Sequence, residues 1–375
     1  MVQDLALQRN KYKHLSDDEW RWFLQQVEGR ERTADKLPSF AAIEDWWYPV
    51  RLSCEQCSSE LAARYKASLV SGDRMVDLTG GYGVDTYFLS EQFQQTDYVE
   101  QNAELCRIAT HNFALANKPA TIHNTSAEAF LFSSSHGKAG YDLIFLDPAR
   151  RDSHGGKVFR LEDCTPNVVE LLPVLLQHSK RLMIKLSPML DLTQAVNALS
   201  QVTWNIHVVA IKNEVKEVLL LSGGTGQITS IDLAKKEQAF VFTREEEQKA
   251  QTQMVHGTLP DGTWIYEPNA AILKAGAYKL VGERFGLHKL DANTHLYTSE
   301  NLVENFPGRV WIVMEFASSL TKRKEIKQAN VLVRNYPLTA EQLKKKLHLH
   351  DGGTEYIIGC RVNGKPTVFL AERCN

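Results

Sequence analysis

The twelve residues Met75–Thr86, "MVDLTGGYGVDT", decide the fold of this chain. A short apolar run ends in Asp77, three glycines follow within six residues, and a helix can begin near Val84. Glycine has no Cβ, so this backbone can turn sharply and approach a ligand closely. The order of strand, glycine loop and helix therefore predicts an α/β domain with a ligand at the carboxyl edge of its sheet.

Two acidic residues follow the predicted ends of other strands. Glu100 closes the run "DYVE", about 20 residues after the glycines, where nucleotide-binding βαβ units place the acceptor for ribose hydroxyls. A solvated glutamate at a strand end is the alternative. Asp147 follows the continuous apolar run "YDLIFL" and opens "DPARR". Thr86 stands where a nicotinamide-dinucleotide loop has its last glycine, so the loop departs from that fingerprint.

Several separated motifs resemble the class I S-adenosylmethionine-dependent methyltransferases. "DLTGGYG" resembles the first motif of that fold, and "DPAR" resembles the "DPPY" motif of enzymes that methylate exocyclic amino groups. Together with "CSSELAARYKASL", "LDPARRD" and "IKLSPMLD", they resemble a bacterial family of class I methyltransferases with a THUMP-like C-terminal domain, from about Ser53 to the end. The resemblance implies methyl transfer from S-adenosylmethionine, and the THUMP-like domain implies an RNA substrate.

The resemblance also implies roles for particular residues. We expect six residues to bind the cofactor: Asp77, Thr79, Gly81, Gly83, Glu100 and Ser126. The carboxylate of Asp147 and the carbonyl of Pro148 would both accept hydrogen bonds from one amine, and such alignment of reactants supplies much of a catalysed rate. Arg150 replaces the usual aromatic residue and would stack on a base or pair with phosphate.

The residues expected on the substrate side are Arg151, Lys185 and Ser187. For Arg150 and Arg151 the alternative is a surface salt bridge. Carbon methylation of a pyrimidine would need a cysteine after the fifth strand, where the sequence has "KLSPM". Cys164 is the nearby thiol, and we interpret it as a structural cysteine because the adjacent acids disfavour a reactive thiolate.

Hydrophobic periodicity divides the chain into four predicted regions. Residues 1–70 are helical, and 71–224 form the methyltransferase domain, a Rossmann-like α/β sheet of seven strands. The strands are expected at 74–79, 96–100, 119–123, 141–146, 181–186, 203–212 and 215–222, the last two as a hairpin. Residues 225–318 form a small α+β, ferredoxin-like subdomain, and 319–375 form the THUMP-like domain with a hairpin turn at Asn363–Gly364.

Composition sets limits on the class of protein. Of 375 residues, 43% are apolar and 23% are charged, as in ordinary globular proteins. The formal charge of −2 gives no global attraction for nucleic acid. The six cysteines form no disulfide framework, and "CEQC" has no second CxxC, so we expect no metal and a reduced cytoplasmic setting. No apolar run approaches the ~20 residues of a membrane span.

Aromatic residues cluster in the N-terminal region, and basic residues cluster near the C-terminus. The aromatic cluster contains Trp20, Trp22, Phe23, Trp46, Trp47 and Tyr48, and core packing is favoured over base stacking. Eight basic residues lie between Thr321 and Lys346: Lys322, Arg323, Lys324, Lys327, Arg334, Lys344, Lys345 and Lys346. Such a surface can bind phosphates without reading sequence, and a solvated helix face is the alternative.

The sequence therefore predicts an S-adenosylmethionine-dependent methyltransferase that acts on RNA, with Lys344, Lys345 and Lys346 in the docking surface. Two alternatives stay open. A small-molecule methyltransferase would make no use of the basic region, and a nucleic-acid-binding protein would keep the fold without turnover.

Overall fold

The structure is a computed structural model that describes residues 9–133, 140–150, 160–235, 239–257, 259–316 and 326–374. Four basic residues named above lie outside this part of the chain: Arg151, Lys322, Arg323 and Lys324. The side chain of Arg150 also lies outside it, although the backbone of Arg150 is described.

The N-terminal region is helical, as predicted. Its helices are α1 (Asp17–Thr33), α2 (Pro38–Ala41), α3 (Arg51–Gln56) and α4 (Glu60–Ser68). Helix α1 begins at a capping box in which Ser16 Oγ accepts the Glu19 N–H at 3.3 Å and the Glu19 carboxylate accepts the Ser16 N–H at 2.7 Å. These two bonds satisfy backbone donors that the first turn leaves unpaired.

The next part alternates strands and helices. Its strands are β1 (Gly72–Asp77), β2 (Phe93–Glu100), β3 (Thr121–Asn124), β4 (Tyr141–Leu146), β5 (Ala149–Arg150), β6 (Cys164–Thr165), β7 (Ser179–Leu186), β8 (Trp204–Ile211), β9 (Glu214–Ser222), β10 (Gln227–Asp232) and β11 (Phe240–Thr243). Its helices are α5 (Val84–Leu89), α6 (Ala103–Leu115), α7 (Ala127–Phe132), α8 (Val168–His178) and α9 (Leu192–Ala198).

The main sheet has the predicted Rossmann-like order. Strand pairing runs β11-β10-β8-β9-β7-β4-β1-β2-β3, and the short β5 and β6 pair with each other. Strands β3, β2, β1, β4 and β7 are parallel, and β9 is antiparallel to β7. All seven predicted strands are present, and β10 and β11 extend the sheet to nine.

Packing explains the aromatic residues of the N-terminal region. Trp20, Trp46 and Tyr48 are buried. The Trp46 indole N–H donates to the Tyr82 hydroxyl at 2.9 Å, and the ring of Phe40 lies parallel to that of Phe88 on α5, with centroids 5.9 Å apart. Trp46 and Phe40 therefore join the N-terminal region to the glycine loop and α5, and the core-packing interpretation holds for the buried Trp20, Trp46 and Tyr48.

The chain forms two compact units. One contains residues Met1–Asn205 and Val218–Thr225, and the other contains Ile206–Glu217 and Gly226–Asn375. The division at 70, 224 and 318 stays a prediction. Apart from Thr225, the two predicted C-terminal regions fall in the second unit.

The second unit contains a separate sheet of seven strands. Its strands are β12 (Trp264–Pro268), β13 (His288–Asp291), β14 (Thr294–Ser299), β15 (Gly308–Phe316), β16 (Asn330–Arg334), β17 (Glu355–Val362) and β18 (Lys365–Arg373), in the order β13-β14-β12-β15-β18-β17-β16. Its helices are α10 (Arg244–Lys249), α11 (Ala270–Ala275), α12 (Leu280–Arg284) and α13 (Ala340–Lys346). The predicted hairpin turn joins β17 to β18, with positive φ at Asn363 (50°) and Gly364 (77°).

Candidate active site

The loop after β1 has a shape that only glycine permits at two positions. A Cβ on Gly80 would lie 2.2 Å from Cε2 of Tyr98, and Gly83 has φ of 85° where α5 begins. The Tyr98 hydroxyl donates to the Gly81 carbonyl at 2.6 Å and fixes the loop against β2. The loop therefore forms a preformed cradle at the carboxyl edge of the sheet, as the sequence predicts.

Asp77, the last residue of β1, anchors this loop through hydrogen bonds. Its buried carboxylate accepts hydrogen bonds from the Thr79 N–H at 2.9 Å and from the Thr86 hydroxyl at 2.6 Å. Burial raises the pKa of Asp77 to about 7, although the hydrogen bonds from Thr86 and Thr79 act in the opposite direction. Thr86, which replaces the last glycine of a dinucleotide loop, thus holds the strand-end carboxylate.

Glu100 lies at the end of β2 and contacts the glycine loop. Its Oε2 accepts the Gly81 N–H at 3.0 Å, and its Oε1 accepts the Asn102 N–H at 2.7 Å. Ser126 caps α7 by accepting the Ala129 N–H at 3.1 Å, and it lies at the same edge of the sheet. The carboxylate of Glu100 therefore has a fixed position at which it can accept bonds from the hydroxyls of a ligand.

These residues line one cavity of about 320 Å³ in the first unit. That volume is in the range of small-molecule sites. The predicted residues Asp77, Thr79, Gly81, Gly83, Glu100, Ser126 and Asp147 all line it. Its acceptor carboxylates, backbone amides and glycine cradle match the needs of a nucleoside-containing cofactor.

Asp147 is held at both its backbone and its side chain. Its N–H donates to Thr79 Oγ1 at 2.6 Å, which ties the end of β4 to the glycine loop. Its Oδ2 lies 2.6 Å from Lys185 Nζ, and 39% of the side chain is exposed. The neighbouring Ala149 pairs with Thr165 through β5 and β6, and both line the cavity. Asp147 therefore presents a carboxylate to the cavity from a fixed backbone.

The two other predicted substrate residues near Asp147 differ from each other. Lys185 lies on β7 with a side chain only 10% exposed, and its ammonium group faces carboxylates. Ser187 is exposed, accepts the Met189 N–H at 3.3 Å, and is not among the residues that line the cavity. The structure therefore brings Lys185 to Asp147 and leaves Ser187 outside the cavity.

A buried charge network, which the sequence analysis missed, lies behind Lys185. Asp85 on α5 has its Oδ1 3.2 Å from Lys66 Nζ and its Oδ2 3.8 Å from Lys185 Nζ. The Ser58 hydroxyl donates to Asp85 Oδ2 at 2.7 Å. Burial alone would raise the pKa of Asp85, but the ammonium groups of Lys66 and Lys185 outweigh it, so the pKa lies below its ordinary value.

The N-terminal region also supplies a wall of the cavity, which the sequence analysis did not anticipate. Ser53, Gln56, Cys57 and Ser58 line it. Burial raises the pKa of Cys57, and it also raises the pKa of Cys164. Both thiols are therefore poor sources of the thiolate that carbon methylation requires, in line with the structural interpretation of Cys164.

In the second unit, the three predicted docking lysines have different environments. Lys344 Nζ lies 2.9 Å from Glu341 and 2.8 Å from Asp351, and its side chain is only 16% exposed. The Lys344 ammonium group donates hydrogen bonds to Asp351 and Glu341, and these bonds raise the pKa of Lys344. Lys345 and Lys346 are exposed. Lys344 therefore joins α13 to the loop at Asp351, and the two other lysines point to solvent.

Within the described residues, no group of three or more histidine, cysteine, aspartate or glutamate side chains is placed to hold a metal ion. In that same part of the chain, no helix combines the length and the apolar character needed to cross a membrane.

Two family models match the second unit. A ferredoxin-like domain matches residues 264–307, and a THUMP-like domain matches residues 315–373. Together they cover β12 to β18 apart from residues 308–314, which belong to β15.

The similar proteins are methyltransferases. The chain resembles the crystal structure of a "putative methyltransferase" from Porphyromonas gingivalis W83 with a TM-score of 0.84 and 33% identity, over 96% of this chain and 92% of that one. It is 22% identical over 337 residues to an uncharacterized S-adenosylmethionine-dependent methyltransferase of Mycobacterium tuberculosis H37Rv, covering 88% of this chain and 89% of the relative. A tRNA (uracil(54)-C(5))-methyltransferase of Pyrococcus furiosus is 30% identical over 101 residues, which are 27% of this chain and 23% of the relative.

Proposed function

This chain belongs to the family of S-adenosylmethionine-dependent methyltransferases with a THUMP-like C-terminal domain, and from that premise we propose that it methylates an amino nitrogen of RNA. The observation that carries the chemistry is the Asp147 carboxylate, which is fixed beside the cavity by Thr79 and Lys185. The observation that carries the substrate class is a basic surface on the THUMP-like region.

S-adenosylmethionine is the cofactor, and when bound it supplies a methyl group on a positively charged sulfur. The glycine cradle would hold its amino-acid part, and Glu100 would accept hydrogen bonds from its ribose hydroxyls. The loop that begins at Thr125 and contains Ser126 and Glu128 would contact the adenine. All of these residues line the cavity.

The chain's part in the reaction is to align the nucleophile. A carboxylate offers up to four acceptor sites, so Asp147 can keep Lys185 and still accept a bond from a substrate amine. The Pro148 carbonyl, on the adjacent residue, would accept the second amine hydrogen. Two acceptors fix the direction of the nitrogen lone pair, and alignment of this kind lowers the barrier without a covalent intermediate.

Nitrogen methylation fits the cavity better than carbon methylation. The Pyrococcus relative is named for the C5 atom of uracil, but this chain has "KLSPM" where the nucleophilic cysteine of such chemistry is expected. Cys57 is the thiol among the described lining residues, and burial raises its pKa. Arg150 and Arg151 follow Pro148 in the chain, and we propose that they hold the substrate.

The proposed docking surface is a patch on the THUMP-like region, which we call the α13 patch: Lys327, Lys345, Lys346, His348 and His350. All five residues are exposed. The His350 N–H donates to the Lys327 carbonyl at 2.8 Å, and the His348 N–H donates to the Lys345 carbonyl at 3.2 Å, so backbone bonds hold these segments together. The nearby acids Glu341 and Asp351 are occupied by Lys344.

Salt dependence tests the docking surface. If the α13 patch contacts phosphates, the logarithm of RNA affinity should fall with log salt by roughly 0.7 per contacted phosphate of a single strand. The double variant Lys345→Ala/Lys346→Ala should weaken binding and flatten this slope equally for different sequences, because phosphate contacts carry no sequence information. Lys344 stays unchanged in this variant, because its ammonium group already contacts Glu341 and Asp351.

Lys365→Ala provides the matched control, since Lys365 is another exposed lysine of the second unit but lies outside the patch. The control should keep the wild-type slope. A double variant with wild-type affinity and slope would contradict the docking surface. Wild-type protein that binds no RNA at low salt would favour the small-molecule alternative.

The six cysteines are free thiols, which suits the cytoplasmic setting that we include in the proposal.

A further inference from the structure

Lys185 lies between two carboxylates from different elements of the fold, Asp147 after β4 and Asp85 on α5. On one side its ammonium group is 2.6 Å from Oδ2 of Asp147, a residue that lines the cavity. On the other side it is 3.8 Å from Asp85 Oδ2 and 3.4 Å from the Ser58 hydroxyl. The lysine therefore connects the carboxylate at the end of β4 to the first turn of α5.

The network extends from there into the N-terminal region. Lys66, on α4, is fully buried and contacts both Asp85 Oδ1 at 3.2 Å and the Ser58 hydroxyl at 3.3 Å. Two lysines and two aspartates give a network with no net formal charge. Because Gly83 caps α5, Asp85 follows the cofactor cradle by only two residues. The network thus joins the cradle, the N-terminal helices and the reactive edge of the sheet.

Burying charged side chains costs free energy, so we expect the Lys66–Asp85–Lys185 network to have a function other than stability. Ion pairs removed from water are often no more stabilising than apolar residues of the same size. A single pair between Lys66 and Asp85 would suffice to attach α4 to α5. Lys185 adds a second buried cation whose shortest contact is to Asp147, a carboxylate that is itself partly exposed.

We propose that Lys185 is a positioning residue that holds the Asp147 carboxylate in one orientation, and that Asp85 fixes Lys185 relative to the cofactor cradle. The inference rests on the proposed role of Asp147 as the residue that aligns the nucleophile. Thr79, in the glycine loop, fixes the backbone of Asp147. Lys185, which Asp85 holds next to that loop, fixes the Asp147 side chain. The position of the whole Asp147 residue therefore depends on the cofactor cradle. Substrate alignment and cofactor binding then depend on the same loop.

The same two strands contain a matched pair that has no such role. Lys180 on β7 lies 2.7 Å from Asp142 on β4, at the opposite end of the strands, and the lysine side chain is 78% exposed. The residue types and the contact distance agree with those of the Lys185–Asp147 pair, in which Asp147 directly follows β4. Lys180→Met therefore controls for loss of a lysine–aspartate pair between β4 and β7 away from the cavity.

A double-mutant cycle on stability tests the pair itself. Lys185→Met, Asp147→Asn and their combination should shift the melting temperature by amounts that do not add, because contacting residues are coupled. This measurement needs no substrate, so it decides the contact even if the protein does not methylate RNA. Additive shifts would show that Lys185 and Asp147 act independently and would overturn the inference.

Turnover tests the positioning role. The probe is transfer of labelled methyl groups from S-adenosylmethionine to total RNA from cells that lack the protein. Lys185→Met should lower kcat by 10-fold or more, and Lys185→Arg should recover part of that loss. Affinity for S-adenosylhomocysteine, measured by calorimetry, should change less than 3-fold, because Lys185 does not line the cavity. Lys180→Met should keep the wild-type kcat.

The outcomes separate this inference from the proposed function. If the wild type transfers no methyl groups to RNA, the proposed substrate class is wrong, and the stability cycle still decides whether Lys185 holds Asp147. If the wild type is active and Lys185→Met keeps its kcat, the positioning role is wrong. A kcat loss matched by an equal loss of S-adenosylhomocysteine affinity would also contradict it, since it would indicate a damaged cradle.

Discussion

Both units bury a carboxylate between two cations, and the two arrangements differ in what surrounds them. In the first unit, Asp85 lies between Lys66 and Lys185 and lines the cavity. In the second unit, Glu267 on β12 is only 1% exposed and contacts Arg309 on β15 and Arg334 on β16. The first arrangement continues to a partly exposed carboxylate, Asp147, whereas the second joins three strands of one sheet.

The type of cation explains the difference between the two arrangements. The guanidinium group of arginine is planar and donates in a fixed fork, which suits a permanent link between strands. The ammonium group of lysine is a compact charge on a flexible stem, so Lys185 can contact Asp147, Asp85 and Ser58 at once. We therefore expect substitutions at Glu267 to affect stability alone and substitutions around the cavity to affect ligand binding or turnover.

The largest expected effect on stability is at Glu267. Glu267→Gln removes the charge that two arginines share, and loss of one partner from a buried ion pair costs roughly 3–5 kcal/mol. Urea unfolding should show this loss, whereas calorimetry at 20 °C should show unchanged affinity for S-adenosylhomocysteine in the folded variant. A clear loss of cofactor affinity would contradict the separation of the two arrangements.

The next effect depends on pH and concerns Asp77. Burial raises its pKa to about 7, against an ordinary value of 3.8. The folded protein therefore binds more protons than the unfolded chain between these pH values, and the contribution to stability falls as pH rises through 7. A shift of this size corresponds to at most ~4 kcal/mol. The side chain of Asp77→Asn cannot ionise, so the stability of this variant relative to wild type should be higher at pH 8 than at pH 5.

Urea unfolding of wild type and Asp77→Asn at pH 5 and pH 8 checks this expectation. The difference between their free energies of unfolding at each pH removes the contributions of all titratable groups that the two proteins share. A difference that is equal at pH 5 and pH 8 would mean that Asp77 keeps an ordinary pKa in its buried site.

A smaller effect is expected at Glu100. Glu100→Ala removes the acceptor for ribose hydroxyls. It should weaken S-adenosylhomocysteine binding on the order of 10-fold, which corresponds to the free energy of about one hydrogen bond to a charged group. The melting temperature without ligand should fall by a few degrees, because Glu100 also accepts the Gly81 and Asn102 N–H groups. Glu104→Ala serves as a control, since Glu104 is an exposed acid at the start of the next helix. Unchanged affinity in Glu100→Ala would remove this residue from the cofactor site.

The sequence predicted the parts of the site that depend on local order along the chain. The strands end where apolar runs end, so Asp77, Glu100 and Asp147 could be placed at one sheet edge before the structure was known. The glycine loop was predicted because its backbone geometry requires glycine, as the contact between Gly80 and the Tyr98 ring shows.

The missed features are contacts between residues that are distant in sequence. Lys66 lies on an amphipathic helix, where a lysine usually faces solvent, and its burial follows only from the packing of α4 on α5. Lys185 and Ser58 are 127 positions apart, and hydrophobic periodicity contains no information about that pairing. For the same reason the lysine run 344–346 could not be divided into one lysine that binds Asp351 and two that are exposed.

The most direct test of the central claim is mass spectrometry of RNA nucleosides from cells that lack this protein. Three strains are compared: one without the protein, one with the wild type restored, and one with Asp147→Asn. The expected result is a methylated nucleoside that is absent without the protein and returns with the wild type. It should stay on the order of 10²-fold lower with Asp147→Asn, since the amide loses the charge that aligns the nucleophile. Identical nucleoside profiles in all three strains, or full recovery with Asp147→Asn, would contradict the account.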